Sequence, residues 1–217
     1  MGNKIANLDR ILYQVQKPGR YTGGEWNSIV KTWDKTPVKV ALSYPDVYEI
    51  GMSNMAVPIL YDLLNRQPDV LAERVYAPWP DMEAAMRKKD LPLFSLESKR
   101  PLKEFDIFGF SLGYELTYTN VLNMLDLAGI PVLAEERGLN HPVVVAGGPG
   151  AYNAESLAPF LDLVVVGDGE EVISEIIDAY ILFRKKAKTR EELLRYFARI
   201  KGVYLPQEYE VEYDSQG

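Results

Sequence analysis

Cysteine is absent from this chain of 217 residues, and histidine occurs once, as His141. Without cysteine these residues form no disulfide, no thiolate nucleophile and no cysteine-ligated zinc or iron–sulfur site. One histidine excludes histidine metal clusters, and its place at the start of a strand, opposite the expected site, argues against a Ser/His/Asp triad. His141 precedes Pro142 at the start of an expected strand and reads as a surface loop residue. No apolar run approaches the roughly 20 residues a membrane-spanning helix needs. The opening residues 1–13 carry charges where a signal peptide has its apolar core. These absences point to a cytoplasmic protein with no membrane partner. Basic charge is scarce too: 24 Lys and Arg against 31 Asp and Glu leave a formal net charge of -7. That balance argues against a broad nucleic-acid-binding face.

What is present is enough for one core. With 47% hydrophobic residues, the length suits a single globular domain with appended segments rather than two domains. The expected division is residues 1–35, an N-terminal helix and glycine-rich loop; residues 36–187, an α/β domain; and residues 188–217, a helix and strand leading onward. Ile5, Leu8, Ile11, Leu12 and Val15 recur at helical spacing over residues 4–15. Pro18, Gly19, Gly23 and Gly24 then forbid regular structure over residues 16–28.

From there strands alternate with helices. Residues 38–43, 72–76, 106–112, 143–146 and 163–166 read as strands, and 53–66, 81–89, 116–128, 170–186 and 189–200 as helices. Ser53 or Asn54 can cap the first of these helices, and Gly129 closes the third, with Pro131 beyond. Alternation of this kind predicts a flavodoxin-like or Rossmann-like five-stranded parallel sheet of order 2-1-3-4-5 with helices on both faces. The C-terminal residues 203–217 alternate in strand fashion and stop on the turn-like DSQG. A strand needs a partner, so the chain reads as the N-terminal piece of a longer protein.

In such a sheet ligands sit beyond the carboxyl ends of the strands, at the switch between the first and third. Two loops face each other there. The first, YPDVYEIGMSN, offers Asp46, Tyr48, Glu49, Gly51, Ser53 and Asn54; the second, SLGYELTYTN, offers Ser111, Gly113, Tyr114, Glu115, Thr117, Tyr118 and Thr119. Each group has a structural reading beside a functional one. Asp46 closes a turn or binds a ligand, and Tyr114 and Tyr118 pack on the sheet or flank a planar ligand. Glu115 with Glu49 or Asp46 makes a candidate acid/base pair whose separation no spacing fixes.

Gly147, Gly148 and Pro149 after the fourth strand, and Gly167, Asp168 and Gly169 after the fifth, complete the rim. The GGPG sequence is neither a P-loop nor GxGxxG. Asp168 with Glu171 forms a capping box in pattern, and Asp168, Glu170 and Glu171 together would repel a phosphate.

The ordered set KPGRYTGGE (residues 17–25), YPDVYEIGMSN, DIFGFSLGYE, AGGPGAYN and VVVGDGEE resembles the N-terminal region of radical SAM proteins with a cobalamin-binding-type domain. The resemblance spans nearly the whole chain and implies an accessory domain that covers a catalytic core and does not catalyse alone. The best-known cobalamin domains carry D-x-H-x-x-G, S-x-L and G-G. Asp46, Gly51, Ser111, Gly147 and Gly148 fall on those positions, while Tyr48 replaces the histidine and Gly113 the leucine.

By resemblance, then, Asp46, Tyr48, Gly51, Ser111, Gly113, Gly147, Gly148 and Gly167 are the expected cofactor-binding residues. Cobalamin, if held, lacks a histidine axial ligand, and a phenol with a pKa of about 10 is a poor substitute. The resemblance also places a four-iron, four-sulfur cluster and S-adenosylmethionine on a C-x-x-x-C-x-x-C motif beyond residue 217. The implied partner is the protein's own C-terminal radical SAM domain, acting on an unknown substrate. Two other readings stay open: a self-contained sugar or nucleotide enzyme using Asp46, Glu49 and Glu115, and an interaction module whose residues 17–26 dock a protein or RNA.

Overall fold

Strands that are apolar on both faces must be covered on both faces, and the strand runs of this sequence are of that kind. In the computed structural model, which describes residues 8–209 and 212, Val38–Tyr44 (β1) and Val70–Tyr76 (β2) are buried almost throughout. Ile107–Ser111 (β3), Val143–Gly147 (β4) and Leu163–Val165 (β5) follow, and the sheet runs β2-β1-β3-β4-β5 with every neighbouring pair parallel. The expected order is therefore found.

A sixth strand, Val203–Tyr204 (β6), pairs antiparallel with β5. This corrects the strand count, and the reason is physical. The outer edge of β5 would otherwise expose unpaired backbone groups, and the C-terminal segment closes it. The strand pattern expected beyond Tyr209 lies outside the described residues, apart from Glu212.

Helices divide by face. Leu8–Leu12 (α1), Pro80–Lys88 (α4) and Tyr118–Ala128 (α5) pack on one side with a kinked 3-10 run, Pro149–Phe160, around Phe108, Met82, Met86, Met124 and Leu125. Ala56–Arg66 (α3), Gly169–Phe183 (α6) and Arg190–Phe197 (α7) cover the other side, around Val40, Leu42, Ile107, Leu163, Ile176 and Phe197. The helix expected over residues 53–66 starts later, at Ala56. Tyr48–Ser53 (α2) ends where Asn54 turns extended, and the Asn54 side chain then accepts the Ala56 N–H at 3.0 Å to open α3. Gly129, in the left-handed conformation, stops α5 as expected, with Ile130 N–H returning to the Leu125 carbonyl.

A buried charge group holds the amino-terminal end of the sheet. Asp162, just before β5, accepts from Arg137 at 2.8 Å and Arg190 at 2.7 Å, and also from the Val144 N–H at 2.7 Å. The side chains of Asp162 and Arg137 are fully buried. Two guanidinium groups face one carboxylate, and the surplus donors reach the carbonyls of Pro131, Val132, Phe160, Gly138, His141 and Pro142. His141 accepts the Gly138 N–H on Nδ1, and burial beside Arg190 and Arg137 lowers its pKa. Removing the carboxylate strands two buried cations. Asp162→Ala is expected to cost about 3–5 kcal/mol in urea unfolding, and a loss under about 1 kcal/mol would disprove that role.

Candidate functional site

The carboxyl ends of β1, β3, β4 and β5 open, on the face carrying α3 and α6, into a cleft of about 320 Å³. That is the lower end of the ~300–1,000 Å³ range of small-molecule sites. Strand periodicity selects its lining: Ile107, Gly109 and Ser111 from β3, Val145 and Gly147 from β4, then Val165 and Gly167. Helix α3 adds Ala56, Val57 and Leu60, and α6 adds Gly169 and Ile173. Pro149, Tyr152, Asp168 and Glu170 also line it, and all four are exposed.

The expected site residues divide. Ser111, Gly147, Gly148 and Gly167 line this cleft, whereas Asp46, Tyr48, Gly51 and Gly113 do not. Glycine at the last group's two positions serves packing. A Cβ on Gly51 would fall 2.2 Å from the Tyr76 ring, and one on Gly113 would fall 2.3 Å from the Tyr44 hydroxyl. Asp46 accepts the Tyr114 hydroxyl at 3.1 Å, which raises the Tyr114 pKa. Tyr118 donates to the Gly150 carbonyl at 2.6 Å. Asp168 takes the N-cap position of α6, but its side chain makes no capping hydrogen bond, so the expected capping box does not form. Asp168 lines the cleft instead.

Tyr48 faces away, toward residues 16–35, which strap the β1 and β2 side of the domain. Its hydroxyl donates to Glu25 at 3.0 Å, and its ring meets Tyr76 edge-on at 5.7 Å. Burial, then the hydrogen bond and charge of Glu25, raise the pKa of the phenol. Arg74 on β2 clamps the same strap: it reaches Glu25 at 2.8 Å and Glu97 at 2.7 Å, and lies over the Tyr61 ring.

Glu49, one of the candidate acid/base carboxylates, is engaged by Lys17 at 3.2 Å and Arg20 at 2.9 Å. Its slight burial is outweighed by its own backbone amide and by Arg20 and Lys17, so its pKa is lowered. Arg20 also lies over the Trp79 ring at 4.7 Å, and the Tyr21 hydroxyl accepts the Trp79 N–H. The Lys17 to Trp26 loop therefore spends its cations within the molecule, while Trp26 itself is exposed.

The family model described as "Radical SAM proteins, N-terminal" matches residues 56–206, from the start of α3 to just past β6. The chain belongs to that family. As a radical SAM N-terminal domain it is also similar to an uncharacterized protein of Methanocaldococcus jannaschii, with 26% identity over 144 residues. That match covers 64% of this chain and 26% of the relative, so the chain spans about a quarter of the length of the curated protein it matches.

Among the described residues no group of three His, Asp or Glu side chains is arranged to hold a metal ion, and no helix is long and apolar enough to cross a membrane. The residues fit a corrinoid only in part. Ser111, Gly147 and Gly148 border the cleft, but the Tyr48 phenol is committed to Glu25, so it supplies no axial ligand.

Reading the sequence alone misses Gly109, Leu60, Tyr152 and Ile173 as lining residues. Gly109 was detectable, because glycine inside a buried strand commonly marks a close approach.

The strap carries a pH dependence. Burial pushes the Glu25 pKa up, but its backbone amide, Arg74, Tyr48 and Ser28 together bring it below the ordinary 4.5. Stability from this group is complete above the ordinary value and is lost as pH falls through the lowered native one. Glu25→Gln is expected to weaken the fold at neutral pH and to flatten the fall in stability below about pH 5. Urea midpoints across that range test this, and parallel acid limbs in variant and parent would refute it.

Proposed function

We propose that this chain is the accessory domain of a radical SAM enzyme, that it covers the catalytic core, and that its α3/α6 cleft holds part of the substrate. The observation that carries the reading is the cleft itself. It is apolar, bordered by glycine, and lies at the strand edge where α/β sheets bind ligands. The partner in this reading is a C-terminal catalytic domain of the parent protein, which would hold the four-iron, four-sulfur cluster and S-adenosylmethionine on cysteines this chain does not have.

A second reading, a corrinoid held without a protein axial ligand, is favoured by Ser111, Gly147 and Gly148 bordering the cleft. The stand-alone acid/base enzyme has less support, because Glu49 is paired with Lys17 and Arg20 and Asp46 with Tyr114.

Two measurements test these readings. The parent reading frame should carry a cysteine triplet with radical SAM spacing, and its absence would remove the main proposal. Titration of this chain with hydroxocobalamin should leave the cofactor spectrum unchanged and no colour after desalting. Retained colour would promote the corrinoid reading, and Tyr48→Phe should then bind equally well, since the phenol faces Glu25.

A further inference from the structure

Several glycines of this domain are demanded by the fold, and several that line the cleft are not. A Cβ on Gly148 would lie 2.7 Å from the Leu112 carbonyl oxygen at a φ of +97, so glycine there belongs to the turn. Gly109 differs. Its Cβ would meet only the Leu42 side chain at 3.6 Å and the Ala41 carbonyl oxygen at 3.8 Å, which are ordinary contacts. On Gly147 the nearest atom would be Val165 Cβ at 3.5 Å, and on Gly169 it would be Leu60 Cδ2 at 3.8 Å. Nothing within the protein requires these three residues to lack a side chain, and glycine inside a strand carries a stability cost. All three line the cleft, one from β3, one from the end of β4 and one from the first turn of α6. Their common effect is room.

The charge around that room has one sign. Asp168 and Glu170 line it, and no lysine, arginine or histidine does. The N-terminal end of α6 opposes them with about half a positive charge, against two formal negative charges. Because Asp168 makes no capping bond, the first-turn N–H groups of α6 remain without a side-chain cap and suit a neutral acceptor such as an amide or carbonyl.

We propose that the cleft binds a molecule with an apolar body and a neutral or cationic polar end, and that it discriminates against phosphates and carboxylates. This rests on the cleft being a substrate site, and it narrows the substrate class to amine-, alcohol- or amide-bearing hydrophobic molecules.

Three probes sharing one body test it on the 217-residue chain: 1-naphthylmethylamine, 1-naphthylmethanol and 1-naphthoic acid, measured by calorimetry near neutral pH. The amine and alcohol should bind about tenfold or more tightly than the acid. The double variant Asp168→Asn, Glu170→Gln should narrow that gap. Gly109→Ala should weaken all three while its melting temperature holds or rises, which separates filling of the cleft from unfolding. Naphthoate binding as tightly as the amine would overturn the charge preference and leave the site standing. Failure of all three probes to bind, or binding unchanged by Gly109→Ala, would overturn the site as well.

Discussion

A parallel sheet needs helices on both faces, and on one face of this domain the cover is left incomplete. Helices α3 and α6 lie side by side over the middle of the sheet and bury Val40, Ile107 and Val145 between them and the strands. Toward the carboxyl ends the strands put glycine where a packed core would put a side chain, at Gly109 and Gly147, and α6 begins with Gly169. A cleft is the geometric result. Period-two alternation keeps its lining in register, because the residues aligned across β3 and β4, Gly109 with Val145 and Ser111 with Gly147, point the same way.

Electrostatics separate this cleft from the neighbouring β1 and β2 side. There the carboxylates of Glu25, Glu49 and Glu97 have Arg74, Arg20 or Lys17 beside them, and the phenols of Tyr48 and Tyr61 close the same network. That side is a clasp for residues 16–35. At the cleft, Asp168 and Glu170 are exposed, and no cation lines the pocket beside them. The molecule therefore has two polar regions at the end of one sheet, one consumed by its own packing and one left for something else.

Strand order, parallel direction and the glycine-bearing rim were legible in the sequence because each follows from local pattern: β-branched runs, turn residues and alternation. Ser111, Gly147, Gly148 and Gly167 reached the cleft for that reason. Tyr48 turns away from the cleft, because its direction depends on Glu25 and Arg74, residues 23 and 26 positions away in opposite directions. Nothing in local spacing reports such contacts. Packing accounts for Gly51 and Gly113 in a related way, since the tyrosine rings that exclude a side chain there come from strands β2 and β1. The Asp162 group was invisible too: Arg137, Asp162 and Arg190 meet only when the chain has folded.

The Asp162 group also sets where this domain tolerates change. Its carboxylate fixes two arginines, and those arginines fix carbonyls on the loops entering β4 and β5. Sequence variation is costly there. At the opposite end, a side chain at Gly109, Gly147 or Gly169 would meet only ordinary contacts, so change at the cleft leaves the foundation beneath it undisturbed. The sheet thus has a tightly bonded base and a permissive crown.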